Sequence, residues 1–79
     1  MATELVLEPS GSTRIEQNAE GSETLLIVTK GRITADIHNE VHTVGVGDSI
    51  YFKSHLPHHF ENHDKKPAKG FLIQTPKSF

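Results

Sequence analysis

At 79 residues the chain holds a single domain, spanning 1–79. It has no cysteine, so disulfides are excluded as a source of stability. A domain this small then needs a structural metal, a partner subunit or an economical barrel. The net charge of −2 excludes a strongly basic face and argues against direct nucleic-acid binding.

The start, Met1-Ala2-Thr3-Glu4, lacks the cationic lead and long apolar core of a secretory signal. No apolar run approaches the roughly 20 residues that cross a bilayer. Together with the absent cysteine this predicts a cytoplasmic protein without membrane contact. Leu5 and Leu7 alternate with polar neighbours and predict a first strand, ended by Pro9-Ser10-Gly11-Ser12. Thr13 to Gln17 reads as a short, mostly polar second strand, and Asn18 to Glu23 as a loop. Thr24 to Thr29 is a continuous β-branched and leucine run, which predicts a strand covered on both faces. Gly31 ends it. Arg32 to Ile37 alternates again, with Ile33, Ala35 and Ile37 on one face.

His38-Asn39 reads as a two-residue hairpin turn, because Asn tolerates positive φ. Val41 to Val44 follows, then the turn Gly45-Val46-Gly47-Asp48. Ile50 to Phe52, Pro57 to Asn62 and Lys69 to Gln74 complete about eight short strands, the pattern of an all-β sandwich or barrel. Lys65-Lys66, with Lys69, forms a solvated loop that discourages aggregation.

Nucleophilic catalysis finds no support, since there is no cysteine and no Gly-x-Ser-x-Gly elbow. Phosphate-binding loops are absent. Glu16, Glu20 and Glu23 lie on or beside an exposed loop and read as a solvated charge patch. The six histidines would invert the sign of the net charge if all were protonated. None has His-x3-His or zinc-finger spacing. Strand alternation sorts those near the end of the chain. If His58 faces inward, so do Phe60 and Asn62, while His59 and Glu61 face out. His55 is in the preceding loop, His63 follows the strand, His38 is in a hairpin turn and His42 shares a face with Val44.

One stretch combines a Gly-Asp turn, a short apolar strand, a Pro-His loop and a strand ending in Asn: Gly47-Asp48-Ser49-Ile50-Tyr51-Phe52-Lys53-Ser54-His55-Leu56-Pro57-His58-His59-Phe60-Glu61-Asn62. Its order and spacing resemble the second motif of the cupin superfamily. Glu23 to Asn62 matches without a gap, and the resemblance runs from Pro9 to Pro76. It is closest in kind to the ligand-sensing half of bacterial helix-turn-helix regulators, where Gly-Asp-Ser-Ile-Tyr-Phe and Pro-His-x-Phe-x-Asn recur. The resemblance implies a cupin-type jelly-roll β-barrel of short antiparallel strands.

It also implies a metal site, with His58 pointing into the barrel. The family's first motif should add two His and a Glu, the Glu seven residues before a Gly. Gly31 places Thr24 at the Glu position, Glu20 at the second His and Asn18 at the first. An Asn carbonyl and a Thr hydroxyl are poor ligands for transition metals, which leaves His58 and Glu20. The inherited divalent-metal site is therefore expected to be lost or very weak, with no cofactor required. A site rebuilt from Glu20, His58 and His55 is the alternative.

By this resemblance the chain is a stand-alone small cupin that binds or senses a small molecule through its barrel pocket. His58, Glu20, Thr24, Asn18, Phe60 and Asn62 are its expected lining, with one or more of Ile33, Ala35 and Ile37. A carboxylate beside an imidazole favours the protonated ring, so Glu20 is expected to pair with His58 where relatives hold a metal. The rival reading is a metal-dependent cupin enzyme of isomerase or dioxygenase type. Metal-free epimerases of the family use a pocket His and Tyr, but alternation turns Tyr51 away from His58. A purely structural interaction module is the third reading. The regulators carry a helical DNA-binding domain before the barrel, and few residues precede the first strand here, so no direct DNA contact is expected. Leu25 and Ile27 alternate with Leu26 and Val28, so one pair faces outward. A homodimer that covers this pair and the Leu5–Leu7 strand is expected.

Overall fold

The computed structural model describes residues 2–75; Met1 and 76–79, which hold the ends of the expected domain and of the resemblance at Pro76, lie outside it. The described residues form seven strands: β1 (Ala2–Leu7), β2 (Glu23–Lys30), β3 (Arg32–Ile37), β4 (Glu40–Gly45), β5 (Ser49–Lys53), β6 (His58–Glu61) and β7 (Ala68–Thr75). Among them no helix is long and apolar enough to cross a membrane. One sheet runs β1-β7-β2-β5 and the other β4-β3-β6, and every strand pair is antiparallel.

Turn chemistry sets the order. Gly31 takes a φ of +71° between β2 and β3, and Gly47 one of +86° before β5. His38 and Asn39 adopt φ values of 50° and 68°, the paired left-handed conformation whose twist suits a tight hairpin between β3 and β4.

Alternation then fills the barrel. Leu26 and Val28 of β2 face Ile33, Ala35 and Ile37 of β3, with Leu7, Val44, Phe52, Phe60 and Ala68 completing the buried core. Gly70 fits where no larger residue could, because a Cβ there would sit 2.6 Å from the Ile27 carbonyl oxygen.

Two expectations fail locally. Thr13 to Gln17 is not a strand: the segment only bridges β6, at Ser12–Glu61 and Glu16–His58. The reason is visible at Thr13, whose Oγ1 accepts the Phe60 N–H at 2.9 Å and so interrupts the backbone ladder. Ile15 offers no anchor, since it points to solvent. The β2 strand is covered on one face only, for Leu25 and Ile27 are half-buried on the outer side of their sheet. Its outer neighbours Tyr51, Phe71 and Ile73 are exposed.

Candidate functional site

His58 begins β6 and faces the barrel interior, 5% exposed. Pro57 fixes the chain's entry into the strand. The ring donates its Nδ1–H to the Leu56 carbonyl at 2.7 Å, which sets the tautomer and leaves Nε2 as the remaining polar atom. Phe52 meets the imidazole edge to face at a centroid distance of 5.0 Å, and Phe60 lies 6.1 Å from it. Phe52 and Phe60 are 6.2 Å apart, so the three rings fill the interior at this level. His58 and Phe60 therefore come together as expected, but as packed core.

Asn62 is also buried, and its amide is fully engaged. Nδ2 donates to the carbonyls of Leu7, Glu8 and Lys66 at 3.3, 3.2 and 2.8 Å, and Oδ1 accepts the Asp64 N–H at 3.0 Å. It staples the end of β1 to the loop before β7.

Thr24 is buried opposite Phe52, on the inward face of β2. The backbone continues this ladder one step beyond Glu23 and Lys53, because Ser54 N donates to Ser22 O at 3.0 Å. Ser22 and Ser54 are both buried, and Asn18 is tied to the same place by its N–H to the Ser54 carbonyl at 2.9 Å. Thus Asn18, Ser22, Thr24 and Ser54 gather at one end of the barrel. Here three buried side-chain atoms lack a hydrogen-bond partner among the described residues: Thr24 Oγ1, Ser54 Oγ and His55 Nδ1.

Glu20 is not beside His58. It is exposed and lines a cleft of about 350 Å³ with Gly21, Ser22, Glu23, Lys53 and His55. The expected Glu20–His58 pair does not form: among the described residues the ring of His58 hydrogen-bonds to Leu56 alone, and Glu20 is exposed. The loop 18–22 is held by its backbone to Ser54, which leaves the Glu20 side chain free to face outward. The cleft carries both signs of charge, Glu20 and Glu23 with Lys53. Glu23 accepts the Tyr51 hydroxyl, a bond that raises the phenol's pKa.

Sequence reasoning missed Ser22, Ser54 and Lys53. A signal existed for Ser54, which lies two residues from the inward Phe52 on the same alternation. His55 was weighed only as a metal ligand.

The other histidines lie elsewhere. On the outer face of β6, His59 Nε2 and His63 Nε2 each lie 2.8 Å from one oxygen of Glu61. The hydrogen bond from His59, followed by that from His63, holds the Glu61 carboxyl below its ordinary pKa. Arg32 pairs with Asp64 at 2.8 Å and lowers that carboxyl too.

The donor set does not fit a resident transition metal. Of the four matched positions only His58 supplies an imidazole, Glu20 faces away from it, and Asn18 and Thr24 are weak donors. No group of three His, Asp or Glu able to hold an ion occurs among the described residues.

The family model described as a cupin domain matches residues 3–74. A search of curated proteins finds no match. Among solved structures, the chain resembles the cupin domain of an XRE family transcriptional regulator from Enterobacter cloacae, with a TM-score of 0.89 at 16% identity over 99% of this chain and 81% of that one. A predicted oxalate decarboxylase from Thermotoga maritima gives a TM-score of 0.86 at 16% identity, over 98% of this chain and 66% of that one. A sugar phosphate isomerase from Silicibacter pomeroyi gives 0.80 at 20% identity, where 96% of this chain spans 50% of the other. At these identities the likeness establishes the fold.

Proposed function

This chain belongs to the cupin domain family, and from that premise we propose that it is a binding or sensing module for a small polar molecule. The ligand enters at the Glu20–His55 end of the barrel. The observation that carries this reading is the group of unpartnered buried atoms, Thr24 Oγ1, Ser54 Oγ and His55 Nδ1. A buried polar atom without a partner costs about 1–3 kcal/mol, so three at one end favour a small polar molecule or ordered water that satisfies them. Ser22 and His55 line the cleft that opens to solvent here. The aromatic trio of Phe52, His58 and Phe60 packs together in the barrel interior and does not line the cleft. A ligand with a hydroxyl or amide head toward Ser22 and His55, and a charged tail between Glu20 and Lys53, matches the lining of the cleft.

The regulator's cupin domain is a precedent for sensing on this fold, as the isomerase and the predicted decarboxylase are for catalysis. The weak donor set favours binding over metal-dependent catalysis.

Titrating labelled protein with a panel of small hydroxy acids, amino acids and polyols tests this reading by amide chemical shifts. The expected result is that one class moves Ser22, Thr24, Ser54 and His55 together. Shifts confined to other surfaces, or none across the panel, would overturn it.

A further inference from the structure

The cleft at the Glu20–His55 end holds two opposite charges that the protein leaves open. Glu20 and Lys53 both line it, and among the described residues neither forms an ion pair. Glu20 sits on a turn closed by the Ser22 N–H on the Ala19 carbonyl at 3.1 Å, with Gly21 at a φ of 90° where that conformation favours glycine. The Asn18 N–H ties the same loop to the Ser54 carbonyl. Lys53 ends β5 and lies opposite Glu23 in the ladder, but Glu23 accepts the Tyr51 hydroxyl and forms no ion pair with it. One carboxylate of the cleft is thus occupied, and one open acid and one open base remain. Two further lining groups offer hydrogen bonds, the buried Ser22 and the unpartnered Nδ1 of His55. At about 350 Å³ the cleft lies near the small end of the roughly 300–1,000 Å³ typical of ligand sites.

We infer that the occupant is a small zwitterion, an amino acid whose side chain ends in a hydroxyl or an amide. The inference rests on the binding reading above and names its ligand class. The ammonium faces Glu20 and the carboxylate faces Lys53, so each charge of the ligand meets its opposite. The side-chain hydroxyl or amide reaches Ser22 and His55, and either group suits them because each both donates and accepts. A dicarboxylate or a phosphate ester would set a second negative charge against Glu20 and Glu23. A polyol would leave both open charges unmatched.

Titrating the labelled full chain at low ionic strength with L-serine, L-threonine, L-asparagine and L-glutamine tests the class by amide chemical shifts. At least one is expected to move Glu20, Ser22, Lys53 and His55 together, and L-leucine to move none of them. The counterpart of that amino acid without the ammonium, and the one without the carboxylate, should each bind about tenfold more weakly, the scale of one charge-assisted hydrogen bond. For serine these are glycerate and serinol. Glu20→Gln should weaken the amino acid about tenfold and leave the counterpart without the ammonium unchanged. Lys53→Gln should do the same with respect to the carboxylate. Both side chains are exposed, and the matched compounds test the wild type independently of either variant. A hydroxy acid or polyol that moves these amides while no amino acid does overturns the inference and leaves the binding reading standing. Silence from every compound overturns both. Equal binding by leucine or by either counterpart, or folded variants that bind the amino acid as wild type does, overturns the zwitterion assignment alone.

Discussion

Ser54 donates its backbone N–H to the Ser22 carbonyl at 3.0 Å, and so extends the β2–β5 ladder by one inward-facing pair beyond Glu23 and Lys53. Along the inner face of β2 the side chains then run from Val28 and Leu26 through Thr24 to Ser22. The barrel is apolar at depth and polar where the cleft opens. That gradient, with its unpartnered oxygens, is what the proposed ligand reads.

Thr24→Val removes one unpartnered buried hydroxyl and keeps the shape of the side chain. The expected outcome is stability unchanged or raised by about 1 kcal/mol, because no hydrogen bond within the protein is lost. Affinity for any ligand found by titration should fall about tenfold, the loss of one hydrogen bond of about 1.4 kcal/mol. Thermal unfolding and calorimetry of the same variant read the two effects separately.

Asn62→Ala should do the opposite. It strips partners from the carbonyls of Leu7, Glu8 and Lys66 and from the Asp64 N–H. A loss of about 3 kcal/mol or more is expected, measured by denaturant unfolding. An unchanged midpoint would show that water replaces the amide without cost.

How much of this was legible beforehand differs by residue. The inward turn of His58 was implied by the family resemblance, that of Phe60 then followed from period-two alternation, and the hairpin at His38-Asn39 followed from its tolerance of positive φ. The cupin-type barrel was implied by the family resemblance that the Gly-Asp and Pro-His stretch carries. The direction of Glu20 did not, because it lies in a loop whose backbone is tied to Ser54, a partner far away in sequence. The covered face of β2 was over-read, since a continuous apolar run does not say whether its second face meets the chain's own core or lies open. Thr13 to Gln17 looked like a strand because its side-chain capture of the Phe60 N–H has no periodic signature.

Gly70→Ala should destabilise by about 1–3 kcal/mol despite adding only a methyl group. The new Cβ would lie 2.6 Å from the Ile27 oxygen, a backbone atom that cannot move aside without disturbing the β2–β7 ladder. Chemical denaturation measures this directly, and a neutral result would mean that the ladder is slack at this point.

Acid stability should depend on Glu61. Its folded pKa lies below the ordinary value because His59, and then His63, hydrogen-bond the carboxylate. The contribution is therefore present above the unfolded carboxyl pKa of roughly 4.3, and is lost as pH falls through the depressed folded value. Glu61→Gln should lower stability at neutral pH by less than about 1 kcal/mol, as the site is solvent-screened, and flatten the acid limb of the profile. Unfolding midpoints at neutral pH and at pH about 3 check the sign: the gap between the variant and wild type should narrow in acid.

Native mass spectrometry of freshly purified protein tests the binding claim most directly. The account predicts a small-molecule adduct on the wild-type chain, displaced by excess of a ligand that titrates Ser22 and Thr24, and lost from a Thr24→Val/Ser54→Ala variant that remains folded. An adduct retained unchanged by that variant, or a wild-type chain that carries none and responds to no member of the ligand panel, would contradict it.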